Sequence, residues 1–228
     1  MKEVITSSPF FGITISIIGY ALGNALYKRT KKAICNPLLV AIAFVILVVL
    51  LFDIPVANYQ NGGKLISMFL SPATAVLAIT IYRERNTIRK NALAIIMGTL
   101  GGSIASIIYI WVLSRILSLD ETMALSIIPK GITTPMALSV SKALGGMEGL
   151  TMLSVLVTGI FGNISAEMMI KLFRVKSAIP RGVAIGTSSH VVGTSKAMEI
   201  GEEEGSISGV SLILTGIITT ILSLIIFS

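Results

Sequence analysis

The chain has 228 residues, 54% hydrophobic and 13% charged, with mean hydropathy +0.90; soluble domains carry about 25% charged residues, so water is not its main solvent. Its net charge of +7 does not indicate a nucleic-acid partner, because the basic residues are dispersed over short loops between apolar stretches. One cysteine, Cys35, excludes an intramolecular disulfide.

Stretches 4–27, 33–52, 65–82, 91–114 and 205–228 contain no charged residue. Each reaches or approaches the ~20 residues that cross a hydrocarbon core. No period-two alternation suggests a membrane barrel, so the expected class is an all-α polytopic membrane protein. The first stretch is too long for a signal-peptide core, and its basic cluster follows it, so it is read as the first span.

Three basic loops orient the chain: Lys28–Lys32, Arg83–Lys90 and Lys171–Arg181, which together hold twelve of the eighteen basic residues. Placing them inside puts the N-terminus outside and runs spans 6–27, 35–52, 64–82 and 91–113. Segment 121–146 carries Pro129, Pro135 and Gly145-Gly146, and a full crossing there would misplace the third basic loop. It is therefore expected as a re-entrant or broken hairpin. Spans 148–170, 180–198 and 206–227 follow, leaving the C-terminus inside: about seven helices plus the hairpin in one domain, 1–228. Halves 35–113 and 148–228 then form an inverted repeat with discontinuous helices, 91–113 running opposite to 206–227.

Three polar segments interrupt the apolar pattern. Ser71-Pro72-Ala73-Thr74 places a helix breaker inside a span, either as a plain kink or over a cavity. In Pro129-Lys130-Gly131-Ile132-Thr133-Thr134-Pro135 a lysine sits in apolar context, where it either snorkels to an interface or has a partner or a function. The third, Gly186-Thr187-Ser188-Ser189-His190-Val191-Val192-Gly193-Thr194, holds the single histidine, with Gly186 and Gly193 permitting local unwinding. Thr187, His190 and Thr194 share a helical face. His190 is either structural glue between helices or a proton carrier. Glu167 is expected to pair with Lys171 one turn on, and Glu199–Glu204 to be a solvated outer loop. No nucleotide-binding loop, nucleophile elbow or zinc-type ligand set appears, so no enzyme, cofactor or metal is expected.

With these three segments in this order, the sequence resembles the LrgB/CidB family of bacterial membrane proteins over nearly its whole length. Ser71 stands where the family usually has glycine, and Val191 where glycine follows the histidine. The resemblance implies a bacterial cytoplasmic membrane protein with one of two activities. The first is transport of a small carboxylate, such as pyruvate, or glycolate as in the related plastid carrier. The second is holin/antiholin-like control of murein hydrolase export and autolysis. It also implies a membrane partner of the LrgA/CidA type, and a homodimer is a reasonable expectation. For a carrier, broken helices meeting at mid-membrane provide a site open to either side in turn. Its expected residues are Ser71, Thr74, Lys130, Thr133, Thr134, Thr187, Ser188, Ser189, His190 and Thr194, with Pro72, Pro129, Pro135, Gly186 and Gly193 breaking the helices and His190 the candidate proton carrier.

Overall fold

The computed structural model describes residues 2–30, 35–69, 72, 79, 82–83 and 85–227. The chain is an all-α polytopic membrane protein. Among the described residues four helices are long and apolar enough to cross a membrane, Pro9–Thr30, Ala92–Ile116, Glu148–Leu172 and Glu202–Phe227, beside the shorter apolar Pro37–Leu51. Their outer faces keep large apolar side chains exposed, among them Ile108 and Phe161, as lipid-facing helices do.

Two contact units divide the chain, Met1–Val76 and Leu77–Ser228. In the first, α1 (Lys2–Ser7), α2 (Pro9–Thr30), α3 (Pro37–Leu51) and α4 (Val56–Ser67) pack together. Gly12 meets Gly62 and the Tyr59 carbonyl, and Gly23 meets Pro37. Small residues thus bring these backbones together, as is usual where lipid supplies no hydrophobic drive between helices.

The second unit contains α5 (Arg85–Lys90), α6 (Ala92–Ile116), α7 (Glu121–Ile127), a 3-10 turn at Ile128–Gly131, α8 (Thr134–Ala143), α9 (Glu148–Leu172), α10 (Ala178–Ser188), α11 (His190–Ile200) and α12 (Glu202–Phe227). Prolines explain the first interruption. Pro129 takes non-helical angles (φ −80°, ψ 17°), Ile132 is extended, and Pro135 lies in the first turn of α8, where its missing N–H costs nothing. The chain then doubles back: the Met147 amide donates to Ser126 Oγ at 2.7 Å, and Thr151 Oγ1 donates to Ser141 Oγ at 2.6 Å. Residues 121–146 are therefore a hairpin that leaves and returns at one level.

The structure corrects the reading of 180–198 as a single span. Its backbone breaks at Ser189 (φ −133°, ψ 16°) and His190 (φ 39°), and α10 and α11 fold against each other as a second hairpin. Pairwise contacts fix the directions. Gly182 meets Glu204 and Ile207, and Gly186 meets Ser208 and Ser211, so α10 runs with α12. Thr194 Oγ1 lies 3.0 Å from Ser208 Oγ while Gly205 abuts Met198, so α11 runs against α12.

Three further expectations change with it. Glu204 is buried and bridges to Arg181 at 3.3 Å, so the acidic run begins at the same end as the third basic loop; Glu202 and Glu203 are exposed. Glu167 pairs with Lys196 at 2.8 Å rather than with Lys171. Finally, Gly98 meets Val183 and Gly102 meets Thr187, so α6, α10 and α12 share one sense. The opposed directions expected of 91–113 and 206–227 are overturned. Phe227 accordingly lies beside Trp111, Arg115 and Glu121, at the end opposite Arg181, and the C-terminus does not share a side with the third basic loop. The elements that do oppose one another are α6 with the first hairpin and α9 with the second, each a 25-residue helix followed by a broken pair.

Candidate functional site

The second hairpin's break contains no proline and is held by packing. His190 is 5% exposed. Its Nε2 lies 2.7 Å from the Val155 carbonyl, which only accepts, so Nε2 carries the proton; Nδ1 accepts from the Val192 amide at 3.4 Å. Both ring nitrogens are thereby engaged, Nε2 pinning the hairpin tip to α9 and Nδ1 closing a local bond within the tip. Space for the ring exists because α9 has glycine there. A Cβ on Gly159 would overlap His190, and one on Gly162 would overlap Ser189. The contact lies seven to eleven residues into α9, roughly 10–16 Å along its axis at 1.5 Å per residue. A left-handed non-glycine residue persists only where its surroundings over-determine it, and here they do.

The two hairpin tips meet. A Cβ on Gly131 would lie 3.4 Å from the Thr187 carbonyl, and Lys130, Thr187 and Ser188 border one cavity of about 600 Å³. Its remaining wall is α10 together with α6 from Ala94 to Tyr109, where Gly98, Gly102 and Ser106 repeat every four residues. Among the described residues Lys130 has no ion-pair partner. Thr187 Oγ1 is buried without a hydrogen-bond partner among the described residues. On the far side of α10 a second cavity of about 370 Å³ is bordered by Gly162, Ser165, Arg181, Ser188 and Ser189. Ser188 thus borders both cavities.

The expected site residues divide accordingly. Lys130, Thr187 and Ser188 converge on the larger cavity, and Ser189 faces the smaller one. His190 and Thr194 lie behind the tip; the Thr194 hydroxyl bonds the His190 carbonyl at 3.1 Å and Ser208. Thr133 and Thr134 are half-buried at the start of α8, where Thr133 occupies the N-cap position without a capping bond from its side chain. Pro129 and Pro135 end and begin helices, while Gly186 and Gly193 allow α10 to approach α12 and the turn at Ser189. Ser71 and Thr74 lie outside the described residues; Pro72 is helical and exposed. Sequence reasoning missed Ser106, Tyr109, Gly159 and Gly162. The Gly98-x-x-x-Gly102-x-x-x-Ser106 spacing was the available signal for the first wall.

The LrgB-like family model matches residues 16–228. The chain belongs to that family. Among curated relatives, the antiholin-like protein LrgB of Bacillus subtilis (strain 168) is 33% identical over 95% of this chain and 94% of its own length. The LrgB proteins of Bacillus cereus (strain B4264) and Bacillus mycoides (strain KBAB4) are 32% and 31% identical over the same shares. No solved structure matches the chain. Membership makes it an LrgB-type, antiholin-like membrane protein of several spans.

Proposed function

We propose that this protein moves a small monocarboxylate, of the size of pyruvate or glycolate, across the bacterial cytoplasmic membrane by alternating access. One observation carries the reading: two hairpins meet tip to tip, and an ammonium and two hydroxyls from those tips border the cavity where they meet. An intramembrane lysine costs about 2.5–3.5 kcal/mol on insertion scales, and a carboxylate substrate compensates it. The half-helix α8 begins four residues after Lys130, so its positive dipole end adds attraction for an anion. Lys130 is the charge partner and Thr187 and Ser188 are hydroxyl partners, while Ser189 faces the smaller cavity. His190 is assigned to holding the tip rather than carrying protons, because both its nitrogens are engaged. With the basic loops inside, both termini lie outside.

Uptake of labelled pyruvate, glycolate and lactate into proteoliposomes tests this. Saturable, competitive flux that falls with Lys130→Ala is expected; leakage of bulky dyes without saturable anion flux sinks the reading. The relatives' name favours a second reading, an antiholin-like regulator of murein hydrolase export acting with an LrgA/CidA-type partner or as an oligomer. That reading predicts the dye leakage or altered autolysis without anion flux. A homodimer is compatible with either.

A further inference from the structure

Among the described residues four buried hydroxyl oxygens lack a hydrogen-bond partner: Ser103, Thr187, Ser211 and Ser223. Three of them stand on helices that pack against one another. Ile95, Val183 and Ile207, one each from the parallel helices α6, α10 and α12, form a closed apolar cluster. About two turns on along α6 and one turn on along α10 and α12 stand Ser103, Thr187 and Ser211. Gly102, next to Ser103, abuts the Thr187 side chain, and Gly186, next to Thr187, abuts Ser211. Ser103, Thr187 and Ser211 thus stand at neighbouring levels of the three helices, with Ser103 and Ser211 fully buried and Thr187 6% exposed.

Neighbouring hydroxyls behave differently. Thr99 donates to the Ile95 carbonyl at 2.8 Å, Ser188 to Ala184 at 2.7 Å and Thr215 to Ser211 at 2.6 Å, the usual way such groups are satisfied in apolar helices. Ser103, Thr187 and Ser211 make no such bond to their own helices. Thr187 stands at the end of α10, beside Ser188, where final-turn carbonyls lack intrahelical amides and carry the negative end of the helix dipole.

The ligand class follows from the donor set. It consists of oxygen atoms only and contains no carboxylate, which excludes the charged cage of a calcium site and the nitrogen or sulfur ligands of a transition metal. Neutral hydroxyls joined to carbonyls of a broken helix suit a dehydrated, hard, singly charged cation. We propose that Ser103, Thr187 and Ser211, with the terminal carbonyls of α10, form a sodium-binding site. Lys130 borders the same cavity as Thr187, so a bound anion between the two positive charges favours both, and by linkage each ligand strengthens the other. The coupling role rests on the carrier reading; occupancy by sodium does not.

The first test needs no substrate. The melting temperature of the full chain in detergent is measured across sodium chloride concentrations, with choline chloride replacing it at constant ionic strength. A saturating rise with sodium is expected. Ser103→Ala and Ser211→Ala each weaken half-saturation by about ten-fold or more. Ser223→Ala, which removes an equally buried hydroxyl about three turns farther along α12, keeps the response. Equal melting in sodium and choline overturns the site, as does an unchanged response in the first two variants; if Ser211→Ala does not fold, Ser103→Ala decides. Proteoliposome uptake with and without a sodium gradient separates the two claims. Saturable uptake from a protein without a melting response removes the sodium site and leaves the carrier. A melting response without saturable uptake leaves the site and removes the carrier.

Discussion

The two hairpins of the second unit are broken at their tips by different means. The first is broken by its own covalent structure: Pro129 and Pro135 bracket a short non-helical stretch, and Ser126 closes the mouth on Met147. The second is broken by its neighbours. Its turn passes through a histidine in the left-handed region, held by the Val155 carbonyl and accommodated by Gly159 and Gly162. A locally encoded break survives changes elsewhere, whereas a packed one depends on every wall around it.

The largest effect expected is one of sidedness. Single cysteines replacing Lys176 and Glu202 should react with an impermeant thiol reagent from the same side, and one replacing Phe227 from the other; a C-terminal cysteine reacting with the Lys176 side would restore a straight span over 180–198. Next, Gly159→Leu should destabilise by about 3 kcal/mol, since overpacking forces the ring and backbone apart. That is a fall in melting temperature of roughly 6–12 °C at this chain length. Cross-linking of cysteines at Ser126 and Met147 should persist in that variant, showing that the first hairpin stands alone.

Glu204→Gln removes the carboxylate facing Arg181. A wholly buried pair loses 3–5 kcal/mol when broken, and the Arg181 side chain is 27% exposed, so about 2 kcal/mol is expected in chemical denaturation. His190→Asn should cost about 1–2 kcal/mol: asparagine tolerates the left-handed backbone, so the loss reports the ring's hydrogen bonds and packing rather than backbone strain. The smallest effect is Pro135→Ala. It should change stability by less than about 1 kcal/mol, because proline in a first helical turn acts mainly on the unfolded chain. A larger effect there than at His190 would reverse the contrast between the hairpins.

This contrast also explains what the sequence revealed. The spans at 9–30, 92–116, 148–172 and 202–227 were legible because apolar length is a local property. The hairpin over 121–146 was legible from its prolines and from the charge arithmetic around it. The second hairpin was not. Residues 180–198 carry no proline after Pro180, and the forces that bend them come from glycines on α9, some thirty residues away. The tetrad Thr187-Ser188-Ser189-His190 did mark the place, since so many polar groups rarely sit together in a lipid-spanning helix. What it could not give was the return of the chain, which shows only in the Arg181–Glu204 pair and in the course of α12. Lys130, Thr187 and Ser188 were found as polar intruders; Tyr109 and Ser106 were hidden because nothing local distinguishes them from ordinary span residues.

The Arg181–Glu204 pair also bears on how the protein is made. The first hairpin closes on residues that leave the ribosome within about two dozen positions of one another, so it can settle while synthesis continues. The second must wait: the strap that fastens its base, and the helix against which α10 lies, are translated after both of its arms. Until Glu202–Phe227 enters the membrane, α10 has an unfilled flank, and a nascent chain stopped short of that point is the form most exposed to quality-control proteases.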